Sequence, residues 1–138
     1  MFHRIAMSAA CIMLLWGCPA ETPTAQALAE RVPEGNWGGD HARLVVDAEG
    51  ATVELACAHG RLASPLDLDS EGRFDVAGTY TREGPGPVRI DQADEPARYS
   101  GRLEGDDLTF RVRRVDPDQM LGPYTVTRGR RVRLIKCQ

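Results

Sequence analysis

HARLVVDAEGATVELACA, residues 41–58, places two alternating apolar runs on either side of a polar break. In an extended chain successive side chains point to opposite faces, so Ala42, Leu44 and Val46 share one face. Val53, Leu55 and Cys57 share a face of the second run in the same way. A connection of two or four residues around Glu49-Gly50 sets both apolar sets on the same side of a hairpin. A connection of three would oppose Arg43 to Leu55 and turn the apolar set outward, so it is rejected.

The same alternation continues outward from this hairpin. Strands are expected near His41–Asp47, Thr52–Ala58, Arg61–Asp69, Arg73–Thr81, Val88–Ile90, Arg98–Glu104, Leu108–Val115, Tyr124–Arg128 and Arg131–Cys137. Clusters of Gly, Asp, Pro and Ser separate them, which is the signature of antiparallel strands joined by turns. The inward sets are Phe74/Val76/Gly78/Tyr80, Tyr99/Gly101/Leu103, Leu108/Phe110/Val112 and Tyr124/Val126. Glycine at 78 and 101 suits tight coiling, where a side chain would collide. Helical periodicity is absent after residue 35. About eight strands at this spacing predict an all-β fold, a small antiparallel barrel of the calycin kind, with a β-sandwich as the alternative.

The chain has 138 residues, 42% hydrophobic and 27% charged, with a formal net charge of −3. That is one domain's length. The mild net charge gives no electrostatic footprint for nucleic acid. The charge is unevenly spread: residues 1–97 carry 7 basic and 15 acidic groups, and residues 98–138 carry 10 basic and 5 acidic. Either the arginine-rich part meets an anionic partner, or strands from the two parts interleave and neutralise one another.

Arg4 followed by the apolar run Ile5–Trp16 has the length and charge of a signal-peptide core. Leu15-Trp16-Gly17-Cys18 comes next and resembles the lipobox of bacterial lipoproteins, with Trp16 at a position that usually holds a smaller residue. The resemblance implies diacylglycerol on the Cys18 thiol and a new N-terminus there. Pro19 in place of Asp implies the outer membrane. Ordinary cleavage at Ala25-Gln26-Ala27 and free secretion is the alternative. The expected organisation is therefore a signal peptide over 1–17, a lipidated tether over 18–34 and a β-barrel domain over 35–138.

Of four cysteines, Cys11 is expected to be discarded with the signal, and Cys18 to be lipidated or lost near a cleavage site. Cys57 and Cys137 remain, and in an oxidising compartment such as the periplasm two leftover thiols in one small domain pair. The bond closes a loop of roughly 80 residues and contributes roughly 4 kcal/mol in the chain-entropy description. The competing role for Cys57, a nucleophile served by His59, has only a Cys-x-His spacing behind it.

Gly35-Asn36-Trp37 resembles the G-x-W at the first strand of lipocalins and avidins, and Gly72-Arg73-Phe74 with Gly78-Thr79-Tyr80 resembles avidin's hairpins. The resemblance implies that Trp37 closes the barrel floor and that Arg128, Arg130 or Arg131 stacks on it. Ala97-Arg98-Tyr99-Ser100 resembles part of the inhibitory loop of periplasmic lysozyme inhibitors, which are small lipoprotein barrels, although Glu95-Pro96 stands where that loop has Ser-Gly.

Candidate sites are few. His41 and His59 with Asp40 have the residue types of a zinc site, but parity puts His41 outward and continues His59 inward. Asp67-Leu68-Asp69-Ser70-Glu71-Gly72 opens like a calcium loop, but the closing acid position is Gly78, so a β-turn is expected. No G-x-S-x-G or H-E-x-x-H motif is present. The expectation is a non-catalytic barrel with no metal and no cofactor. It has a membrane contact through its lipid and a small molecule or a protein as partner; a structural envelope role is the remaining reading. Intact-mass measurement of the membrane-extracted protein, with and without reductant, is expected to show a diacylglyceryl adduct lost in Cys18→Ser, and a two-proton gain on reduction. An unmodified chain starting after Ala27 contradicts the anchor.

Overall fold

The computed structural model describes residues 30–84 and 93–137. The segment expected as a signal peptide, Cys18 and the expected strand Val88–Ile90 lie outside them. Eight antiparallel strands form a closed barrel in sequence order: β1 Gly35–Gly38, β2 Ala42–Val46, β3 Ala51–Leu55, β4 Ala58–Leu62, β5 Arg73–Arg82, β6 Glu95–Glu104, β7 Asp107–Arg114 and β8 Gln119–Arg128. β1 closes the seam against β8, with Trp37 opposite Arg128 and Gly38 opposite Thr127.

The first hairpin has the parity that the apolar alternation requires. Val46 pairs with Ala51 across the four residues Asp47–Gly50, so Leu44 faces Val53 and Ala42 faces Leu55. Asp47 builds that connection: its carboxylate accepts the N–H groups of Glu49 and Gly50, each at 2.8 Å. These backbone bonds and Arg61 outweigh the small cost of desolvation and hold its pKa below the usual carboxylate range.

Inside, Trp37, Leu44, Val53, Tyr99, Leu108, Phe110, Val112 and Val126 are at most 2% exposed. A small barrel has room for one layer of side chains, and three inward glycines make that room for aromatic rings. A Cβ on Gly60 would meet the Tyr99 hydroxyl, and one on Gly78 would lie 3.0 Å from Tyr99 Cε2. One on Gly101 would lie 2.7 Å from Phe74 Cε1 and 2.9 Å from Phe110 Cβ.

Both ends are closed. At one, Glu30–Glu34, expected as the end of the tether, crosses the opening beside the β4–β5 loop. The Val32 amide donates to Leu66 O at 3.0 Å, and Val32, Leu66 and Leu68 are buried. Trp37 Nε1 donates to Pro33 O at 3.1 Å, which ties the floor to this plug. At the other end the plug is polar, and it is described below.

Three expected strands are corrected. The second ends at Leu55, because Ala56-Cys57 is itself a tight turn that pairs Leu55 with Ala58. Cys57 is therefore exposed at a hairpin tip and not inward. The next strand runs Ala58–Leu62, and Ala63–Gly72 leaves the sheet, with Pro65 in its path. Arg131–Cys137 makes no strand. β1 has already closed the barrel, so the tail crosses outside it over Gly38, where a Cβ would strike Arg130 O. The tail is fixed by single bonds, Arg133 N–H to Gly39 O at 3.0 Å and Cys137 N–H to Ala56 O at 2.8 Å.

Gly101 and Ser100 are neighbours on opposite faces of β6, so they separate the two surfaces cleanly. Gly101→Val forces a side chain between two rings and is expected to cost about 1–3 kcal/mol in urea unfolding. Ser100→Val, on the outer face, is expected to stay within about 0.5 kcal/mol. Equal effects contradict the inward assignment of position 101.

Candidate functional site

The inward parity of β7 continues past Leu108, Phe110 and Val112 to Arg114, which is a charge only 6% exposed. Its neighbours make that burial tenable. Nε and Nη2 donate to Glu95 Oε2 at 3.1 and 2.7 Å, and Nη1 donates to Gln119 Oε1 at 3.0 Å. The guanidinium carbon lies 5.2 Å from the Tyr80 ring centroid, within cation–π range. A buried ion pair gains little over an apolar one, but losing one partner is costly, so the cluster fixes this end of the barrel in one arrangement. The inward set read from the sequence ends at Val112; carrying the alternation of β7 two positions further reaches Arg114.

Beside this plug, Tyr99 is fully buried and its hydroxyl donates to Thr79 O at 2.6 Å. Burial, and then the neighbouring Tyr80, push the Tyr99 phenol well above its ordinary value. The same two causes raise Tyr124, which is half-buried. Ala97 and Tyr99 face the lumen from the middle of β6, so the stretch that resembles an inhibitory loop is strand with its aromatic residue inside. Arg128 stands opposite Trp37 but is exposed, and the cation–π contact among the described residues is that of Arg114.

Cys57 and Cys137 are joined, with Cα atoms 5.1 Å apart, so no free thiol is left for a Cys57/His59 pair. His59 is outward on β4, opposite Glu54, and not inward as parity through an unbroken strand would have it. The turn at Ala56-Cys57 resets the count. His59 Nδ1 lies 2.7 Å from Glu83 Oε1, and Lys136 Nζ donates to Glu83 Oε2 at 2.9 Å and to Leu55 O at 3.0 Å. Partial burial raises the Glu83 carboxyl, and the bonds from Lys136 and His59 more than offset it, leaving the pKa lowered. The group clamps the tail beside the disulfide.

His41 and Asp40 are exposed near β1, and Asp40 receives Arg130 Nη2 at 3.0 Å. Among the described residues no group of three His, Cys, Asp or Glu side chains is placed to hold a metal. Asp67–Gly72 is a turn: Asp69 accepts the N–H groups of Glu71 and Arg73, each at 2.9 Å, and Gly72 sits at φ +75°. The Arg73 and Glu71 bonds outweigh a slight desolvation cost and hold Asp69 below its ordinary pKa.

A cleft of about 970 Å³ lies on β5, β6 and β7. Its polar lining comes from the outer face. Arg73, Arg102 and Thr109 make one cross-strand row, and Asp75, Ser100 and Arg111 the next. Leu68, Phe74 and Phe110 border it but are buried, and Pro123 is the exposed apolar residue of its lining. Pro123 reaches the cleft because Gly122-Pro123 stands opposite the single residue Arg111, a bulge that bends β8. A smaller cleft of about 230 Å³ lies at the plugged floor beside Val32 and Leu66. Neither is lined by Leu44, Val53, Tyr99 or Val112, which fill the lumen. Comparison with models of protein families, with curated proteins and with solved structures finds no match to this chain.

Proposed function

We propose that this protein is an exported, lipid-anchored barrel that acts by binding and not by catalysis, and that its ligand sits in the outer cleft of β5–β7. The observation that carries the reading is the contrast between the two sides of the wall. The lumen is lined by buried aromatic and aliphatic side chains, while the cleft is open and lined by arginines, carboxylates and hydroxyls. A volume near the upper end of ordinary ligand sites suits a small molecule or a short segment of a larger one. The export and anchoring rest on Arg4, the apolar run and Cys18 in the sequence. The disulfide is consistent with an oxidising compartment.

A ligand that binds only the folded state raises the unfolding temperature. At about a hundredfold over its Kd it adds about 2.7 kcal/mol. Low-molecular-mass material extracted from the cell envelope is expected to raise the melting temperature of the wild type by several degrees. Ser100→Trp, which fills the cleft from its outer face, is expected to abolish the shift and leave the unliganded melting temperature near the wild-type value. A shift retained in Ser100→Trp places the ligand elsewhere. No shift at all contradicts the reading of a small-ligand binder.

A further inference from the structure

The Cys57–Cys137 bond joins two parts of the molecule that are held by different means. Cys57 sits at the tip of the β3–β4 hairpin, where Leu55 pairs with Ala58 and the Glu83 amide donates to Cys57 O at 2.8 Å. Those bonds belong to the barrel wall and keep Cys57 in place whether or not the sulfurs are joined. Cys137 ends a run of seven residues, Arg131–Cys137, that takes no part in the sheet. The barrel is closed by β1 against β8 before this run begins.

The run has few contacts of its own. The Arg133 and Cys137 amides donate to Gly39 O and Ala56 O, and Lys136 Nζ donates to Leu55 O and Glu83 Oε2. Val132 and Leu134 are half-buried, and Ile135 is 86% exposed. Fixing the backbone of one residue costs as much as one net hydrogen bond returns, or more. An exposed ion pair returns less still. Four polar contacts and two half-buried side chains therefore fall short of what ordering seven residues requires. The covalent bond makes up the difference, because it keeps the end of the run beside the barrel.

Both cysteines are exposed, so a thiolate reaches the bridge without any opening of the sheet. We infer that the bond is a reducible latch: a dithiol opens it and frees Arg131–Cys137, while the barrel stays closed. One thiolate of the reductant attacks a sulfur of the bridge, forms a mixed disulfide and releases the other cysteine as a thiolate. The second thiolate of the reductant then attacks its own sulfur in the mixed disulfide and displaces the remaining cysteine. The protein gains two electrons and two protons, and the dithiol becomes a disulfide. The freed run presents Arg131, Arg133 and Lys136 among Val132, Leu134 and Ile135, and it leaves the carbonyls of Gly39 and Ala56 open.

The test is amide NMR of the oxidised full chain, titrated with dithiothreitol in the absence of denaturant, with hydrogen exchange measured in the two end states. Reduction is expected to move the resonances of Arg131–Lys136 to random-coil positions. The Arg133 and Cys137 amides are expected to lose about tenfold or more in exchange protection, the equivalent of one net hydrogen bond each. The amides of Val53, Tyr99 and Phe110 are expected to keep their chemical shifts. Cys57→Ser/Cys137→Ser without reductant is expected to give the spectrum of the reduced protein. Collapse of the barrel resonances together with those of the run, in the reduced protein, makes the bond a brace of the barrel and overturns the inference. A run that keeps its shifts and protection after reduction overturns it too, as does a bridge that dithiothreitol cleaves only once denaturant is added.

Discussion

A sheet of eight strands closed on itself leaves an interior just wide enough for side chains to fill or for one small ligand, and the buried inward residues of this protein take that space. Each inward position must hold a group that fits against its cross-strand neighbours. Three inward glycines, Gly60, Gly78 and Gly101, stand where Tyr99, Phe74 and Phe110 need the space. The lumen is thereby occupied along its length, and the ends are closed by different chemistry. Val32, Leu66 and Leu68 lie under Trp37 at the floor, and Arg114, Glu95, Gln119 and Tyr80 form a polar stopper at the other end. Burial of the apolar set drives closure, and the Arg114 cluster selects one arrangement of the end it occupies.

The interior is committed to packing, and the polar chemistry falls mostly to the outer surface. There the two oppositely charged parts of the chain meet. On this surface Arg98 pairs with Asp75, Arg130 with Asp40 and Lys136 with Glu83, and inside the barrel end Arg114 pairs with Glu95, each bond joining the later part of the chain to the earlier. Interleaving therefore accounts for most of the arginine excess of residues 98–138. The tail uses the same economy of contacts, held outside the barrel by the Cys57–Cys137 bond, the Glu83–Lys136 pair and two backbone bonds.

Much of the barrel was legible in residues 41–58, because alternation fixes which residues share a face and the loop length then fixes the register. The later inward sets follow the same rule, and so do Gly78 and Gly101. Reading failed where a turn lacks the usual residues. Ala56-Cys57 carries no glycine or asparagine, so the strand was carried through it and both Cys57 and His59 were set on the wrong face. It failed again at Arg131–Cys137, where alternation is present but a closed barrel offers no edge to pair with. The disulfide was legible from cysteine count alone. The cleft was not, because its rows join residues 30 or more positions apart and its shape depends on the Gly122-Pro123 bulge.

The claim that organises the rest is that the barrel is full and that binding is external. Xenon enters dry apolar cavities and perturbs the methyl groups that line them. Methyl NMR spectra under xenon pressure are predicted to show no saturable shift for Leu44, Val53, Leu108 or Val126. Saturable shifts clustered on those methyls would reveal an empty lumen and contradict the account.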